Sequence, residues 1–548
     1  MNHFSNTIAV IPAAGISQRP GSSLRAPQSD AMVPVAGKPA IFWTIQELIR
    51  IGIRRISLVI HERDNDLEHF VSLLYSNLAD IRFVVPDRMA GVGYSVWCGV
   101  RATEQEEKSV LVVLGDTILS LPENTLRQGD WIMVAPVDDQ NRWCMAALNK
   151  EKVTALFNKP STHVPADHAC IGIYHFSEGL PITAAQVENF ISVKKNIEMA
   201  HLLEPLIERE SLTGILSSNW MDVGNPDHLQ DAQQKFIQSR SFNTLSLDSL
   251  RGSISKKSTY TLKFHDEINY YKLLPDSLKI YFPRVIEASN LPNDQRLTLE
   301  YYAYPTLADI LLFDRQSPAF WKKALNRLSA ICADFRSLDY GTDTDAAKDI
   351  YLKKNIGRFE EFLANPPEIV RDFLAADSHH VDGIAVHSPH EVIGRSLPAL
   401  SRLSEQARLT PIHGDLCLSN ILCEPNSCLI KLIDPRGSFG RQGALGDQRY
   451  DFAKLDHSIT GRYDFIVNDL FAIHSDTPGD VRLEIPYRGD LDQISAEFES
   501  IFLGERKEEI RLITAWLFLS MLPLHADKPR RQFAMLATGL KILSSLPL

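Results

Sequence analysis

The chain has 548 residues, 44% hydrophobic and 23% charged, with a formal net charge of −11 and no block of Lys or Arg. That length calls for more than one core, and the acidic balance argues against a general nucleic-acid or anionic-membrane binder. No apolar run reaches bilayer-spanning length, the start MNHFSNTIAVIPAAG lacks a basic region ahead of a long apolar one, and seven scattered cysteines have no paired zinc spacing, so the expected setting is cytoplasmic with reduced thiols.

Thr7 to Pro12 (TIAVIP) reads as a buried strand that ends at Ala13-Ala14-Gly15. Small residues directly after a strand allow backbone N–H groups to approach a phosphate. Arg19 follows, then VPVAGKPAIFWTIQEL, which reads as a short strand, a Gly37–Pro39 turn and an amphipathic helix. Ile56 to Ile60 is the next strand. The alternation predicts a mostly parallel sheet in a three-layer α/β domain of Rossmann-like type. Further along come Gly91-Val92-Gly93-Tyr94-Ser95, the strand Val110 to Leu114 ending in Gly115-Asp116, Asn158-Lys159-Pro160 with CIGIYHF after it, and Trp220-Met221-Asp222-Val223-Gly224-Asn225-Pro226.

In this order the segments resemble the sugar-1-phosphate nucleotidylyltransferases and their phosphocholine cytidylyltransferase relatives, over about residues 7 to 237. The resemblance implies attack of a sugar or alcohol phosphate on the α-phosphorus of an NTP, CTP or UTP, with pyrophosphate leaving. It assigns Ala13, Ala14 and Gly15 to the phosphates, Gly93 to the nucleobase-side loop, Arg19 to the triphosphate, Lys159 to the acceptor phosphate, and Asp116 and Asp222 to Mg²⁺. Two polyanions meet in such a reaction, so cations must neutralise the developing charge. Two positions depart from the family pattern. Asp30 stands where the family has a phosphate-binding lysine, and Ser17 replaces a usual loop glycine. The expectation is that Arg25 or Arg19 takes over the lysine's contact, with Asp30 turned outward or paired to an arginine.

Asp227 to Ser239 reads as a closing helix, giving a first domain of residues 1–238 and a linker at 239–250. Leu250 to Leu262 resembles the phosphate-covering hairpin of small-molecule kinases. Lys256 fits the strand lysine that meets the α- and β-phosphates of ATP, with Lys257 one residue off and still open, and Glu267 is its candidate partner. LTLEYYAYPTLADIL resembles a kinase hinge, with Glu300 near the adenine. From about residue 318 the pattern is mainly helical, and Trp321, Leu325, Leu328 and Ile331 recur at core spacing. His379, His380, His387 and His390 fit no standard metal spacing and read as a solvated loop.

Pro411 to Gly437 carries the densest chemistry. His413-Gly414-Asp415 is followed five residues later by Asn420, and a β-like run from Cys428 to Ile433 delivers Asp434. Phosphoryl transfer from ATP needs a carboxylate to take or orient the proton of an attacking hydroxyl, and an amide oxygen plus a second carboxylate to hold Mg²⁺. Asp415 fits the first role; Asn420 and Asp434 fit the second. This stretch resembles the loops of the aminoglycoside phosphotransferase and choline kinase family. Gly446-Asp447 to Leu455 resembles the segment that buttresses them, giving Asp451 a structural role. The resemblance implies a bilobal, protein-kinase-like α+β domain over 251–548, with a smaller lobe at about 251–305 and a larger one at about 306–548.

Together the halves imply a bifunctional activating enzyme. ATP phosphorylates a sugar or small alcohol, and the NTP then converts that phosphate to an NDP-sugar or CDP-alcohol for surface glycan or cell-wall synthesis. Two alternatives stay open: a choline kinase with a phosphocholine cytidylyltransferase, and a kinase with a non-catalytic, sugar-nucleotide-sensing first domain. Nucleotides and a small molecule are the expected partners, without nucleic acid or membrane; a homo-oligomer is left open.

Overall fold

The computed structural model describes residues 7–17, 28–35, 37–103, 109–119, 121, 128–218, 220–223, 243–259, 261–291, 294–314, 316–485 and 490–548. Arg19, Arg25 and the expected helix 227–239 lie outside the described residues. The chain divides into two compact units, Met1–Phe236 and Ile237–Leu548.

In the first unit, β1 (Thr7–Pro12) is buried along most of its length, as a strand covered on both faces must be. It is followed by α1 (Ala40–Arg50), β2 (Arg55–Val59), α2 (Asn65–Tyr75), β3 (Asp80–Val84), α3 (Val92–Arg101), β4 (Ser109–Val113) and the short β5 (Thr117–Leu119). Then come β6 (Trp131–Pro136), β7 (Cys144–Asn149), β8 (Lys152–Asn158), β9 (His168–Phe176), α4 (Ala184–Lys194), α5 (Met199–Glu208), β10 (Thr213–Leu216) and β11 (Trp220–Asp222). The main sheet runs β6-β10-β8-β7-β9-β4-β1-β2-β3.

Only part of this sheet is parallel. The β4-β1-β2-β3 half is parallel throughout, but β9 joins β4 antiparallel and β7 pairs antiparallel with β8 and β9. The mostly parallel expectation is corrected accordingly. Two residues separate β7 from β8, and so short a connection can only fold the chain back on itself. Ile8 and Val10 of β1, Val110 and Val112 of β4, and Ile132 and Val134 of β6 share one core with Trp97 of α3 and Leu202 of α5.

The second unit opens with β12 (Asn243–Asp248), β13 (Ser253–Ser258), α6 (Thr261–Leu273), β14 (Val285–Leu291) and β15 (Asp294–Glu300). The sheet order is β12-β13-β15-β14, antiparallel at every step. Residues 243–248, expected within a linker, are therefore a sheet strand: Leu245 and Leu247 alternate with polar residues and pair opposite Lys256 and Ile254. Glu267 lies in the middle of α6.

The rest is largely helical. It includes α7 (Leu307–Phe313), α8 (Pro318–Arg336), a π-helical turn at Asp349–Lys354 continuing as α9 (Asn355–Ala364), and the hairpin of β16 (Ile421–Cys423) and β17 (Ile430–Leu432). After the hairpin come α10 (Gln448–Ile459), α11 (Lys507–Met521) and α12 (Pro529–Ser544). Trp321, Leu325, Leu328 and Ile331 are buried on α8. His379, read as solvated, is buried with its ring edge-on to Phe373 at 5.0 Å, because His379–Val381 is a strand paired to 384–386. Among the described residues no helix is long and apolar enough to cross a membrane.

Candidate functional site

In the first unit a cavity of about 700 Å³ opens beyond the end of β1 and is lined by Ala13, Ala14, Gly15, Asp116, Lys159 and Asp222. Ala13 N–H donates to Val59 O at 2.8 Å, so the turn leaves the sheet in a fixed direction. Asp222 sits on β11, which pairs antiparallel with β5 just after Asp116. Val223 N–H donates to Asp116 O at 2.9 Å and locks the two segments together. Burial first, and then the charge of Asp222, raise the Asp116 carboxyl to about 6. Lys159 holds a left-handed backbone, φ 45°, and its N–H donates to Trp143 O at 2.9 Å.

One expectation is corrected here, and of the two alternatives for Asp30 the outward one falls. Gly93 does not line the cavity; Gly91, Val92 and Ser95 do. A Cβ at Gly93 would come within 2.8 Å of Glu198 O and of Ile197 Cγ2, so this glycine serves the close approach of α3 to the 197–198 segment. Asp30 is not turned outward. Ser29 Oγ donates to Ala13 O at 2.9 Å and accepts from Ala31 N–H, which sets Asp30 as the first residue of a 3₁₀ turn facing the cavity. Its charge also acts to raise Asp116. Three carboxylates thus face one cavity. Mg²⁺ binds through one or two carboxylates completed by phosphates and water, and Asp116 and Asp222 fit such a donor set, since a cation would relieve their mutual repulsion.

In the second unit, residues far apart in sequence meet. Lys256 Nζ on β13 lies 2.8 Å from Glu267 on α6 and 2.9 Å from Asp434. Burial acts to lower the Lys256 pKa, but the charges of Asp434 and Glu267 outweigh it, and the ammonium form is favoured. Lys257, the next residue along an alternating strand, is exposed. Asp434 itself has φ 55°. Three residues later Gly437, φ 69°, packs so tightly on α6 that a Cβ would meet Asp266 O at 2.1 Å. This approach joins the Asp434 loop to the helix carrying Glu267. Gly437→Ala is expected to destabilise the protein by more than about 2 kcal/mol, whereas Gly252→Ala, also at positive φ but in open space, should cost about 1 kcal/mol; denaturant titration of the two variants compares them.

The Asp415 loop is held from below. Asp451 on α10 accepts from His413 N–H at 2.7 Å and Gly414 N–H at 2.8 Å. The buried His413 ring hydrogen-bonds Ile433 O at 2.9 Å and stacks on Phe282. Asn420 Nδ2 donates to Asp415 O at 2.8 Å, leaving the amide oxygen for other partners. Asp415, 40% exposed at its side chain, receives Lys454 Nζ at 2.8 Å. Burial works to raise its pKa, yet Lys454 and Arg436 prevail and hold it at about 2. The Asp415 carboxylate is thus ionised throughout the neutral range. Glu300 ends β15 and accepts from Tyr302 OH at 3.0 Å.

Lys454 is the site residue that the motif reading missed. The signal was present: Asp451 and Lys454 are three apart on α10, so both face the loop.

Residues 19–239 match the family model described as "Nucleotidyl transferase". The chain is 23% identical over 240 residues to the low-salt glycan biosynthesis nucleotidyltransferase Agl11 of Haloferax volcanii, covering 42% of this chain and 64% of that protein. It is also 23% identical over 218 residues to a glucose-1-phosphate thymidylyltransferase of Streptomyces antibioticus, covering 38% and 60%. The chain thus spans less than two thirds of the length of these relatives. Among solved structures, a UDP-glucose pyrophosphorylase from Acinetobacter baumanii aligns with a TM-score of 0.35 and 17% identity over 43% of this chain and 94% of that one. The N-terminal unit therefore resembles the sugar-1-phosphate nucleotidyltransferases.

Proposed function

We propose that the protein is a two-step activating enzyme. Its second unit phosphorylates a hydroxyl of a small molecule from ATP. Its first unit couples that phosphate to a nucleotidyl group from a second NTP, CTP or UTP, releasing pyrophosphate. The product is an NDP-sugar or CDP-alcohol, in keeping with glycan or cell-wall synthesis.

For the first step, the supporting observation is the meeting of Lys256, Glu267 and Asp434 beside a loop that presents an ionised Asp415. That constellation is what a protein-kinase-like site would need, and in this reading Asp415 orients the acceptor hydroxyl and takes its proton. Lys256 holds the ATP phosphates, Glu267 steadies Lys256, and Glu300 lies towards the adenine. Asn420 and Asp434 would hold Mg²⁺, which supplies charge neutralisation at the phosphates. Lys256→Met is expected to lower phosphoryl transfer by about 10²-fold or more, and Lys257→Met to leave it near wild type; a coupled ADP-release assay reads both.

For the second step, the cavity joining Ala13–Gly15, Asp116, Lys159 and Asp222, together with the family match over 19–239, carries the reading. Asp116 and Asp222 would hold Mg²⁺ there. Lys159 neutralises the acceptor phosphate, with Arg19 and Arg25 assigned to the triphosphate. The test is pyrophosphate release with mixed NTPs and a panel of sugar phosphates and phosphocholine, with products read by mass spectrometry.

One observation favours a second reading, in which the first unit senses nucleotide sugars without transferring. Asp30 adds a third negative charge where a triphosphate would lie. Asp30→Lys separates the two. Under the enzyme reading the KM for NTP is unchanged or falls by up to about 10-fold; under the sensing reading neither form releases pyrophosphate with any acceptor.

A further inference from the structure

Beside Asp415 the second unit gathers Lys354, Arg358 and Arg436, of which Lys354 and Arg436 meet a tyrosine hydroxyl. The π-helical turn Asp349–Lys354 runs directly into α9, and Lys354 and Arg358, four residues apart, share a helix face. Single π-helical turns recur at functional sites. Lys354 Nζ lies 3.4 Å from Tyr450 OH and 5.6 Å from the centre of that ring. Arg436 donates to the same hydroxyl at 3.1 Å.

The neighbouring negative charges are few. Asp415 is taken by Lys454, Asp266 and Asp415 act on Arg436, and Glu361 acts on Arg358. Among the described residues neither Lys354 nor Arg358 forms a salt bridge. Burial, and then Arg436, Lys454 and Arg358 against the opposing effect of Tyr450, bring the Lys354 ammonium down to about 8. Against burial, Lys354, Arg436 and Lys454 bring the Tyr450 phenol down to about 7, so one shared phenolate at most answers this group of cations, and a bound anion would complete it.

We propose that the acceptor of this site is a hydroxyl compound bearing a carboxylate or phosphate, which Lys354 and Arg358 receive while Asp415 faces its hydroxyl. The inference rests on the kinase reading above and narrows it. A neutral sugar would leave the cations uncompensated, and a quaternary ammonium such as choline would be repelled. Tyr302 and Tyr304, 5.4 Å apart, offer no free cage for such a cation, because Lys431 Nζ already stands 5.1 Å over the Tyr302 ring.

The experiment measures ATP-dependent phosphorylation by the full-length protein of glucuronate, glucose 6-phosphate, glucose and choline. One of the two anions is expected to exceed glucose in kcat/KM by about 10²-fold, and which of them does so separates carboxylate from phosphate. Lys354→Gln with Arg358→Gln should raise the KM for that anion by about 10- to 100-fold, leaving the KM for ATP unchanged; Lys354→Arg should retain the preference. Preference for glucose or choline overturns the inference while keeping the kinase. So does a double variant that alters the KM for ATP instead. Absence of transfer to all four acceptors removes the kinase reading and this inference with it.

Discussion

Asp415→Asn is expected to lower phosphorylation of the free acceptor by about 10³-fold, within the range for loss of a general base, while pyrophosphate release from an NTP and a supplied acceptor phosphate stays within about twofold of wild type. The side chain keeps its size and an oxygen acceptor, but Lys454 loses the charge that lies 2.8 Å away. Some stability is lost with it, so melting temperature is measured alongside both rates. The two motif sets lie in separate compact units, which is why one activity should survive the other. If both fall together in a variant that remains folded, the two-site model is lost.

Asp222→Asn and Asp116→Asn should each reduce pyrophosphate release by about 10²- to 10³-fold and leave phosphorylation of the free acceptor intact. The accompanying stability change runs against the usual direction. Burial, then Asp222 and Asp30, raise the Asp116 carboxyl, and removing the Asp116 charge relieves a cost that the folded chain carries for function. In EDTA the Asp116→Asn protein should therefore melt at or above the wild-type temperature. A variant that melts several degrees lower would mean that Asp116 is a structural carboxylate, and the metal assignment would fall.

The chemistry-bearing residues were easier to read than their supports. Asp415, Asn420 and Asp434 stand within twenty residues of one another in a fixed order, so spacing alone suggested their roles. The pattern Ile254-Ser255-Lys256 favoured Lys256 but left Lys257 open, since strand alternation sends the two lysines to opposite faces and register decides which face is inside. Lys354 was illegible: a single lysine in a helical sequence usually reads as solvated surface, and only the packing of the chain brings it beside Tyr450. Gly93 misled because a glycine near a loop reads as clearance for a ligand, whereas here the clearance is for Ile197 and Glu198. The sheet was read as parallel because its first half is; the reversal begins at β9, where buried alternation does not reveal strand direction.

The strand Asn243–Asp248 has a bearing on any attempt to study the halves separately. It is the outermost member of the β12-β13-β15-β14 sheet and shields one side of the strand that carries Lys256. A fragment begun at Arg251, where composition invites the cut, would strip that cover and expose a row of unmet backbone donors and acceptors, a template for intermolecular pairing. Aggregation of such a fragment would report a misplaced scissor, not an intrinsic dependence of the second half on the first.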